Sequence, residues 1–247
     1  MVLCGGPLIG IASMDMPKFG IVAALHREIE PLVRDWAAME RTHDGKTFRF
    51  FEKGQAVLVC GGIGPGPARR ATEAMSSLYR LSHLQSVGYA GALRQGREVG
   101  AVICPARVID MNDGSSAAID RGEGILLSAS RVISAQEKSK LGSTYQADAV
   151  DMEAAAVAKG AHAKGIPFSA LKVISDDYAF NMPSTEMFVT PDGQFLSGRF
   201  ALFALLRPWL WAAVVQLARN SRKATVNLCE AIQEELREQS QQVRQPA

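Results

Sequence analysis

Short apolar runs alternate with longer segments of mixed polarity along most of the chain. Residues 19–25 form an uninterrupted apolar run, as in a strand buried on both faces of a parallel sheet, and residues 26–33 read as the start of a helix. Further strands are predicted at 86–93, 101–105, 124–128 and 168–174, with helices at 135–141 and 154–164. This alternation predicts an α/β fold with three layers, α/β/α, around a central mixed, mostly parallel twisted sheet.

Two further apolar runs, 48–51 and 56–60, predict a hairpin that turns at Lys53-Gly54. The glycine- and proline-rich stretch 61–68 then leads into a predicted helix that reaches Leu81. Its glycines allow close backbone approach to a ligand, but Pro67 stands where a dinucleotide fingerprint needs glycine. No Gly-Lys-Ser/Thr follows, so a nucleoside triphosphate loop is also excluded.

Acidic residues stand at three places where an apolar run ends. Glu28 follows the first run, Asp151 and Glu153 precede an alanine-rich helix, and Asp176 closes the run at 168–174. Ionised carboxylates are costly to bury alone, and ligands bind beyond the carboxyl ends of strands in open α/β sheets. The pattern therefore indicates a polar ligand site, although Asp151 as a helix cap, Asp176 as the start of a turn, and Glu28 as a solvated helix-dipole partner are alternatives.

The segment 200–218 is unusually apolar, with Arg207 and Gln216 as its only strongly polar residues. Arg207 and Pro208 at its middle argue against a membrane span. A buried helix pair or a subunit interface is the favoured interpretation. The alternative is a surface that touches a membrane or an apolar substrate tail, helped by Arg219, Arg222 and Lys223.

The length of 247 residues suits one large domain, predicted at 18–238, between a disordered extension at 1–17 and a disordered tail at 239–247. A net charge of +2 argues against a nucleic-acid surface. Four scattered cysteines indicate reduced thiols rather than disulfides or a zinc site. The N-terminus lacks the pattern of a secretory signal, so a cytoplasmic protein is predicted, with peripheral contact at the inner membrane surface through 200–218 as a further possibility.

Five motifs, in order, carry a resemblance to a known family: residues 20–28, 62–64, 88–91, 150–154 and 174–176. Together they resemble the purine nucleoside phosphorylase and nucleosidase superfamily, most closely its methylthioadenosine/S-adenosylhomocysteine nucleosidases. Asn181-Met182-Pro183 and the apolar C-terminal region are also similar to hopanoid-associated nucleosidases, which act on an adenosylated lipid.

The resemblance implies a role for each matched residue. Asp176 would protonate purine N7, and Glu28 would deprotonate the attacking water. Such a pair fits a reaction in which the sugar gains oxocarbenium character and the base gains negative charge. The implied substrate-binding residues are Glu153 on the ribose hydroxyls, Met152, Ser175, Ile133, Ala90, Gly91, Tyr89 and Gly64.

Water is the predicted nucleophile, and no cofactor or metal is expected. Ser86 and Tyr89 occupy positions where phosphorylases of this superfamily carry phosphate ligands, and Glu28 would repel phosphate. Inorganic phosphate stays an alternative through Arg27 and Arg69, and a non-catalytic nucleoside-binding protein is a third. The expected partners are a purine nucleoside, in the narrower resemblance a lipid-linked one, and further copies of the chain, with a dimer favoured.

Two departures from the family pattern bear on the site. Tyr89 replaces a small residue and is expected to intrude on or reshape the sugar site, and Asp151 replaces the commoner glutamate. The polar loop 111–124 is also short, which is expected to leave the 5′ side of the pocket open to a long substituent.

Overall fold

The structure, a computed structural model, describes residues 16–180 and 186–244. Most of the predicted N-terminal extension and the predicted motif Asn181-Met182-Pro183 lie outside the described residues. The strands are β1 (Lys18–Ala23), β2 (Ala37–His43), β3 (Lys46–Lys53), β4 (Ala56–Cys60), β5 (Leu81–Ala92), β6 (Val102–Ile103), β7 (Arg107–Asp110), β8 (Ser116–Ala118), β9 (Ile125–Ser128), β10 (Ala149–Asp151) and β11 (Phe168–Asp176). The helices are α1 (His26–Val33), α2 (Pro65–Leu78), α3 (Ala135–Tyr145), α4 (Ala154–Ala163), α5 (Ser197–Leu205) and α6 (Trp211–Arg244).

The described strands form one mixed sheet in the order β2-β3-β4-β1-β5-β10-β9-β7-β8, while β11 pairs with β5 and β6. Strand β1 lies between β4 and β5 and is parallel to both, which explains its unbroken apolar run. The predicted hairpin is confirmed as β3 and β4, with Gly54 at a φ of 59° in the turn between them.

Helices cover both faces of the sheet and make the three predicted layers. On one face, Ile29 and Leu32 of α1 and Leu228 and Ile232 of α6 share a buried cluster with β1. On the other face, the small residues of α2 and α4 pack against β1, β3 and β4. The predicted α/β/α fold is therefore confirmed, with its apolar core split between the two faces.

Strand β5 is the centre of the sheet and differs from its prediction. It begins at Leu81, where a helix was predicted, because α2 ends at Leu78 and Leu81 pairs with Lys18 of β1. One edge of β5 pairs first with β1 and then with β10, and the other edge pairs with β11. The carboxyl-terminal ends of β1, β10 and β11 thus lie beside β5.

The C-terminal region corrects two predictions. The segment 200–218 is not a buried helix pair: it forms α5, a 3-10 turn at Pro208–Leu210 and the start of α6, with many side chains exposed. The predicted tail 239–247 is helical as far as Arg244. Once Ala224, Leu228 and Ile232 fix the middle of α6 against the core, extending the helix costs far less than starting one.

Candidate active site

The three predicted carboxylates are brought together by β5. Glu28 is the third residue of α1, Glu153 is the N-cap of α4, and Asp176 ends β11; all three are buried. A Cβ added to Gly88 would lie 2.9 Å from Glu28 Oε2, and one added to Gly91 would lie 2.8 Å from Asp176 Oδ2. Gly88 and Gly91 are about 10 Å apart along the strand, so both acids lie against the carboxyl-terminal half of β5.

One end of this site is a buried charged floor formed by Glu28, Asp151, Glu153 and Lys172. Lys172 is completely buried, and its Nζ lies 2.8 Å from Asp151 Oδ2 and 3.0 Å from Ser86 Oγ. Asp151 Oδ2 also accepts a 2.9 Å hydrogen bond from the Ala154 N–H, so it satisfies one of the free N–H groups at the start of α4 although Glu153 is the N-cap. The floor therefore holds three carboxylates around a single ammonium group.

Glu28 and Glu153 both have carboxyl groups that resist ionisation. Burial, reinforced by the charge of Glu153, raises the pKa of Glu28 to about 8, and its Oε2 is buried without a hydrogen-bond partner. Burial, together with the charge of Asp151, raises the pKa of Glu153 to about 7. The interpretation of Glu28 as a solvated helix-dipole partner is therefore wrong, and a pKa near the working pH suits a general base.

Glu153 is anchored to the loop before α2. Its Oε1 accepts a 2.7 Å hydrogen bond from the Gly64 N–H, and its Oε2 accepts a longer one, 3.3 Å, from the Met152 N–H. Gly64 has a φ of 98°, a conformation that favours glycine, so the glycine-rich loop can turn its N–H inward. The glycine-rich loop, predicted to approach a ligand closely, thus binds a protein carboxylate.

The other end of the site is an ion pair between Asp176 and Lys138. Lys138 Nζ donates to Asp176 Oδ2 and, at 2.9 Å, to the Asp177 carbonyl, while Ser175 Oγ donates to Asp176 Oδ1 at 2.8 Å. Both charged side chains are buried. The turn after β11 is made by Asp177, whose Oδ1 accepts from the Ala179 N–H, rather than by Asp176.

A cavity of about 640 Å³ lies beside these groups, within the size range of small-molecule sites. On the sheet side it is lined by residues that neighbour or bond the carboxylates, namely Arg27, Gly64, Tyr89, Met152 and Ser175, together with Ile63, Pro65, Pro67 and Ser130–Val132. The rest of its wall comes from residues 189–221, here called the C-terminal cap, through Val189, Phe195, Ser197, Phe200, Val214, Leu217, Ala218 and Ser221.

Six of the predicted site residues are not on the wall of this cavity: Glu28, Glu153, Asp176, Ala90, Gly91 and Ile133. Ala90 is buried in the core and its carbonyl lies 3.5 Å from Ser175 Oγ, and Gly91 abuts Asp176. Ile133 is buried in a separate apolar cluster, while its predecessors Arg131 and Val132 line the cavity. Tyr89 does line the cavity, but its hydroxyl is drawn to α6, where it bonds the Ser221 carbonyl at 3.1 Å and Thr225 Oγ1 at 2.5 Å.

Two lysines of the site were missed in the sequence. Lys172 carries a visible signal, because a lone lysine inside the apolar run 171–174 of a buried strand needs a buried partner. Lys138 carries none, since it lies among polar residues of α3 and its partner is 38 positions away. Among the described residues, no group of three or more His, Cys, Asp or Glu side chains is arranged to hold a metal ion.

Comparisons with known proteins identify the family and the fold of the chain. The model of the phosphorylase superfamily matches residues 18–124 and 118–194. Similar solved structures include a Helicobacter pylori 5′-methylthioadenosine/S-adenosylhomocysteine nucleosidase, at 16% identity and a TM-score of 0.68 over 91% of this chain and 100% of that one. The corresponding enzyme of Neisseria meningitidis has 18% identity and a TM-score of 0.66 over 88% and 97%.

A futalosine hydrolase mutant of Helicobacter pylori strain 26695 is also similar, at 20% identity and a TM-score of 0.59 over 66% of this chain and 89% of that one. At these identities the likeness shows a shared fold. A comparison with curated protein sequences gives no match.

Proposed function

Because the chain belongs to the phosphorylase superfamily, we propose that it is a nucleosidase that hydrolyses the N-glycosidic bond of a 5′-substituted adenosine and releases adenine. The observation that carries this proposal is the charge of the floor, where three buried carboxylates surround one ammonium group. Burial and the crowding of these acids already raise the pKa of Glu28 and of Glu153, so the floor resists further negative charge. It therefore opposes a phosphate dianion, at a cost of a few kcal/mol in a buried pocket, and favours a neutral nucleophile.

In the proposed reaction, water attacks C1′ of the ribose while the bond from C1′ to purine N9 breaks. Glu28 accepts the proton of the water, and its partnerless Oε2 and pKa of about 8 suit that task. Glu153, held by the Gly64 and Met152 N–H groups, accepts hydrogen bonds from the ribose hydroxyls and stabilises the positive charge that develops on the sugar. The bonding electrons pass to the purine.

At the other end, N7 of the departing purine receives a proton from Asp176. In this proposal the proton comes from the Lys138 ammonium group, which donates a hydrogen bond to Asp176, and Lys138 is left neutral until water recharges it. Ser175 Oγ keeps the other carboxylate oxygen in place. Adenine and a ribose with a free hydroxyl at C1′ are then the products, and no further reactant is needed.

The substituent at the 5′ position is proposed to be long and apolar. Phe195, Phe200, Val214 and Leu217 give the cavity an apolar wall on the side of the C-terminal cap. A methyl group alone would leave much of this wall uncovered, whereas a hydrocarbon chain would bury it. Together with the resemblance to hopanoid-associated nucleosidases, this wall supports an adenosylated hopanoid as the narrower candidate substrate.

Phosphorolysis is a second candidate, favoured by one observation. Arg27 and Arg131 both line the cavity and could hold a phosphate. Arg27, however, stacks its guanidinium over the Phe195 ring at 4.9 Å, on the side of the cap rather than in the floor. We therefore propose that Arg27 contacts the 5′ substituent rather than a phosphate.

The test is an assay of adenine release from adenosine, methylthioadenosine, S-adenosylhomocysteine and an adenosylated lipid, each with and without phosphate. We expect release without phosphate, free ribose derivatives as products, and the highest kcat/KM for the most apolar 5′ group. Asp176→Asn is the matched loss-of-function control and should lower kcat by about 10²- to 10⁴-fold. Strict dependence on phosphate would establish the second candidate, and tight binding without turnover of any compound would show a non-catalytic binder.

A further inference from the structure

The outer face of the C-terminal cap exposes large apolar side chains over three consecutive elements. Leu202 and Leu205 of α5, Leu206, Trp209 of the 3-10 turn, and Trp211 and Val215 of α6 are between 48% and 74% exposed. We call these six residues the exposed apolar surface. Scattered single apolar residues are normal on a protein, but six large exposed ones within residues 202–215 mark a contact with a partner.

The charges around this surface indicate which kind of partner binds to it. Residues 193–229 contain five of the chain's 27 lysines and arginines and none of its 25 acidic residues. The five are Arg199, Arg207, Arg219, Arg222 and Lys223. The rest of the chain therefore carries an excess of acid, and the positive charge is concentrated beside the apolar surface. Anionic lipid complements both features, whereas a second copy would bring the same cations against one another.

The shape of the cap also fits a bilayer interface. No single described helix is long and apolar enough to cross a membrane, but α5 and the helical stretch from Pro208 pass that test together, with a bend of 114° between them. At the corner, the Trp211 Nε1–H donates to the Ala204 carbonyl at 3.0 Å, and Arg207 donates to the Phe203 carbonyl at 3.1 Å. These internal bonds satisfy polar groups that lipid could not, while the apolar bodies point outward.

The same helices that expose this surface also form a wall of the cavity. Phe200 of α5 and Val214, Leu217 and Ala218 of α6 face the cavity, while Leu202, Leu205 and Val215 of the same helices are exposed. An apolar substituent could thus pass between lipid and cavity along one continuous apolar layer.

From these observations we propose that the exposed apolar surface inserts into the interface of an anionic membrane. In this docked orientation the cavity lies next to the membrane, where it can bind a nucleoside that carries a lipid tail. Membrane docking is inferred from the exposure and charge of the cap alone, whereas the lipid-linked substrate rests on the proposed function.

The test is co-sedimentation of the full chain with vesicles of phosphatidylcholine, with and without phosphatidylglycerol. We expect binding that requires phosphatidylglycerol and weakens in about 0.5 M salt, where charges beyond about 4 Å are screened. The triple variant L205S/L206S/W209S should lower vesicle binding by more than about tenfold. The matched control M187S/V226S removes two exposed apolar residues outside the surface, 65% and 45% exposed, and should bind as the wild type does.

A second measurement separates docking from folding and from catalysis. Circular dichroism should give the same melting curve for the triple variant, and its turnover of methylthioadenosine in solution should be unchanged, since none of the three residues lines the cavity. Its turnover of a lipid-linked nucleoside in vesicles should fall. Equal vesicle binding by the triple variant, or a dimer that only this variant loses, would overturn the proposal. Binding without any turnover would leave docking standing and refute the proposed function.

Discussion

The buried charged floor and the C-terminal cap border the same cavity but are built in contrasting ways. The floor places Asp151 and Lys172, both without exposed side-chain surface, inside the sheet, whereas the cap leaves Trp209 74% exposed. Lys172 of β11 pairs with Asp151 of β10 and Ser86 of β5, so the geometry of the floor tolerates little change. The cap depends on few internal contacts, so its outer residues are free to serve another surface. Substitutions should therefore damage folding and chemistry in the floor and binding in the cap.

The largest effect is expected for Lys172→Met. Removal of the only ammonium group of the floor leaves Asp151, Glu28 and Glu153 buried without a cation, which costs about 3–5 kcal/mol of unfolding free energy. Urea denaturation should show this loss. Lys140→Met, on the exposed face of α3, is the control and should change stability by less than about 0.5 kcal/mol. A stable Lys172→Met protein would mean that the floor is neutralised by protons instead.

Glu28→Gln should lower activity by about 10²-fold or more while it stabilises the fold at alkaline pH. The pKa of Glu28 is about 8 in the folded chain, against an ordinary value of 4.5. Between these values the folded chain holds more protons than the unfolded chain, so the unfolding free energy falls as pH rises. The amide removes this penalty, with an expected gain on the order of 2–4 kcal/mol above pH 8. Denaturation at pH 5 and pH 8.5 provides the measurement, and a gain at pH 5 alone would contradict the assignment.

The same carboxyl groups set the pH dependence of the wild type. If Glu28 acts as the base, kcat/KM should rise as pH increases through the pKa values of about 7 for Glu153 and about 8 for Glu28. In Glu28→Gln, the residual rate, about 10²-fold or more below that of the wild type, should lose the upper step. A profile that is flat between pH 6 and 9 in the wild type would remove Glu28 from the mechanism.

Lys138→Met tests the acid end of the site with a smaller effect. Loss of the ammonium group removes the hydrogen bonds to Asp176 and to the Asp177 carbonyl, and with them the proposed source of the proton, so kcat should fall about tenfold to a hundredfold. Lys140→Met again serves as the control from the same helix. Identical rates for the two variants would show that the pair does not supply the proton.

The smallest effect is expected for Tyr89→Phe, which removes the hydrogen bonds that join β5 to α6. The hydroxyl bonds the Ser221 carbonyl and Thr225 on α6, and its loss should cost about 1 kcal/mol of unfolding free energy. The exposed Tyr145 gives the matched control, Tyr145→Phe. If Tyr89 instead shaped the sugar site, KM for methylthioadenosine would change more than stability does.

Several predictions from the sequence agree with these findings. The match of the phosphorylase superfamily over residues 18–194 confirms the predicted family, and with it the class of enzyme, nucleosidase or nucleoside phosphorylase. The α/β/α fold is confirmed by the described elements. The roles of Glu28, Glu153 and Asp176, the absence of a cofactor, the dimer and the cytoplasmic location stay predictions.

The sequence by itself determined where strands meet helices and which junctions carry acids, because strand and helix periods and the residues that end them are properties of neighbours in the chain. It placed Glu28, Glu153 and Asp176 at such junctions, but it did not show where these junctions lie in space. The tertiary structure alone decided that Lys138 pairs with Asp176, that Tyr89 turns toward α6, and that the apolar stretch after residue 200 faces outward. These outcomes depend on contacts between residues from 38 to 136 positions apart, and such contacts are fixed by how the helices pack on the sheet rather than by any local pattern.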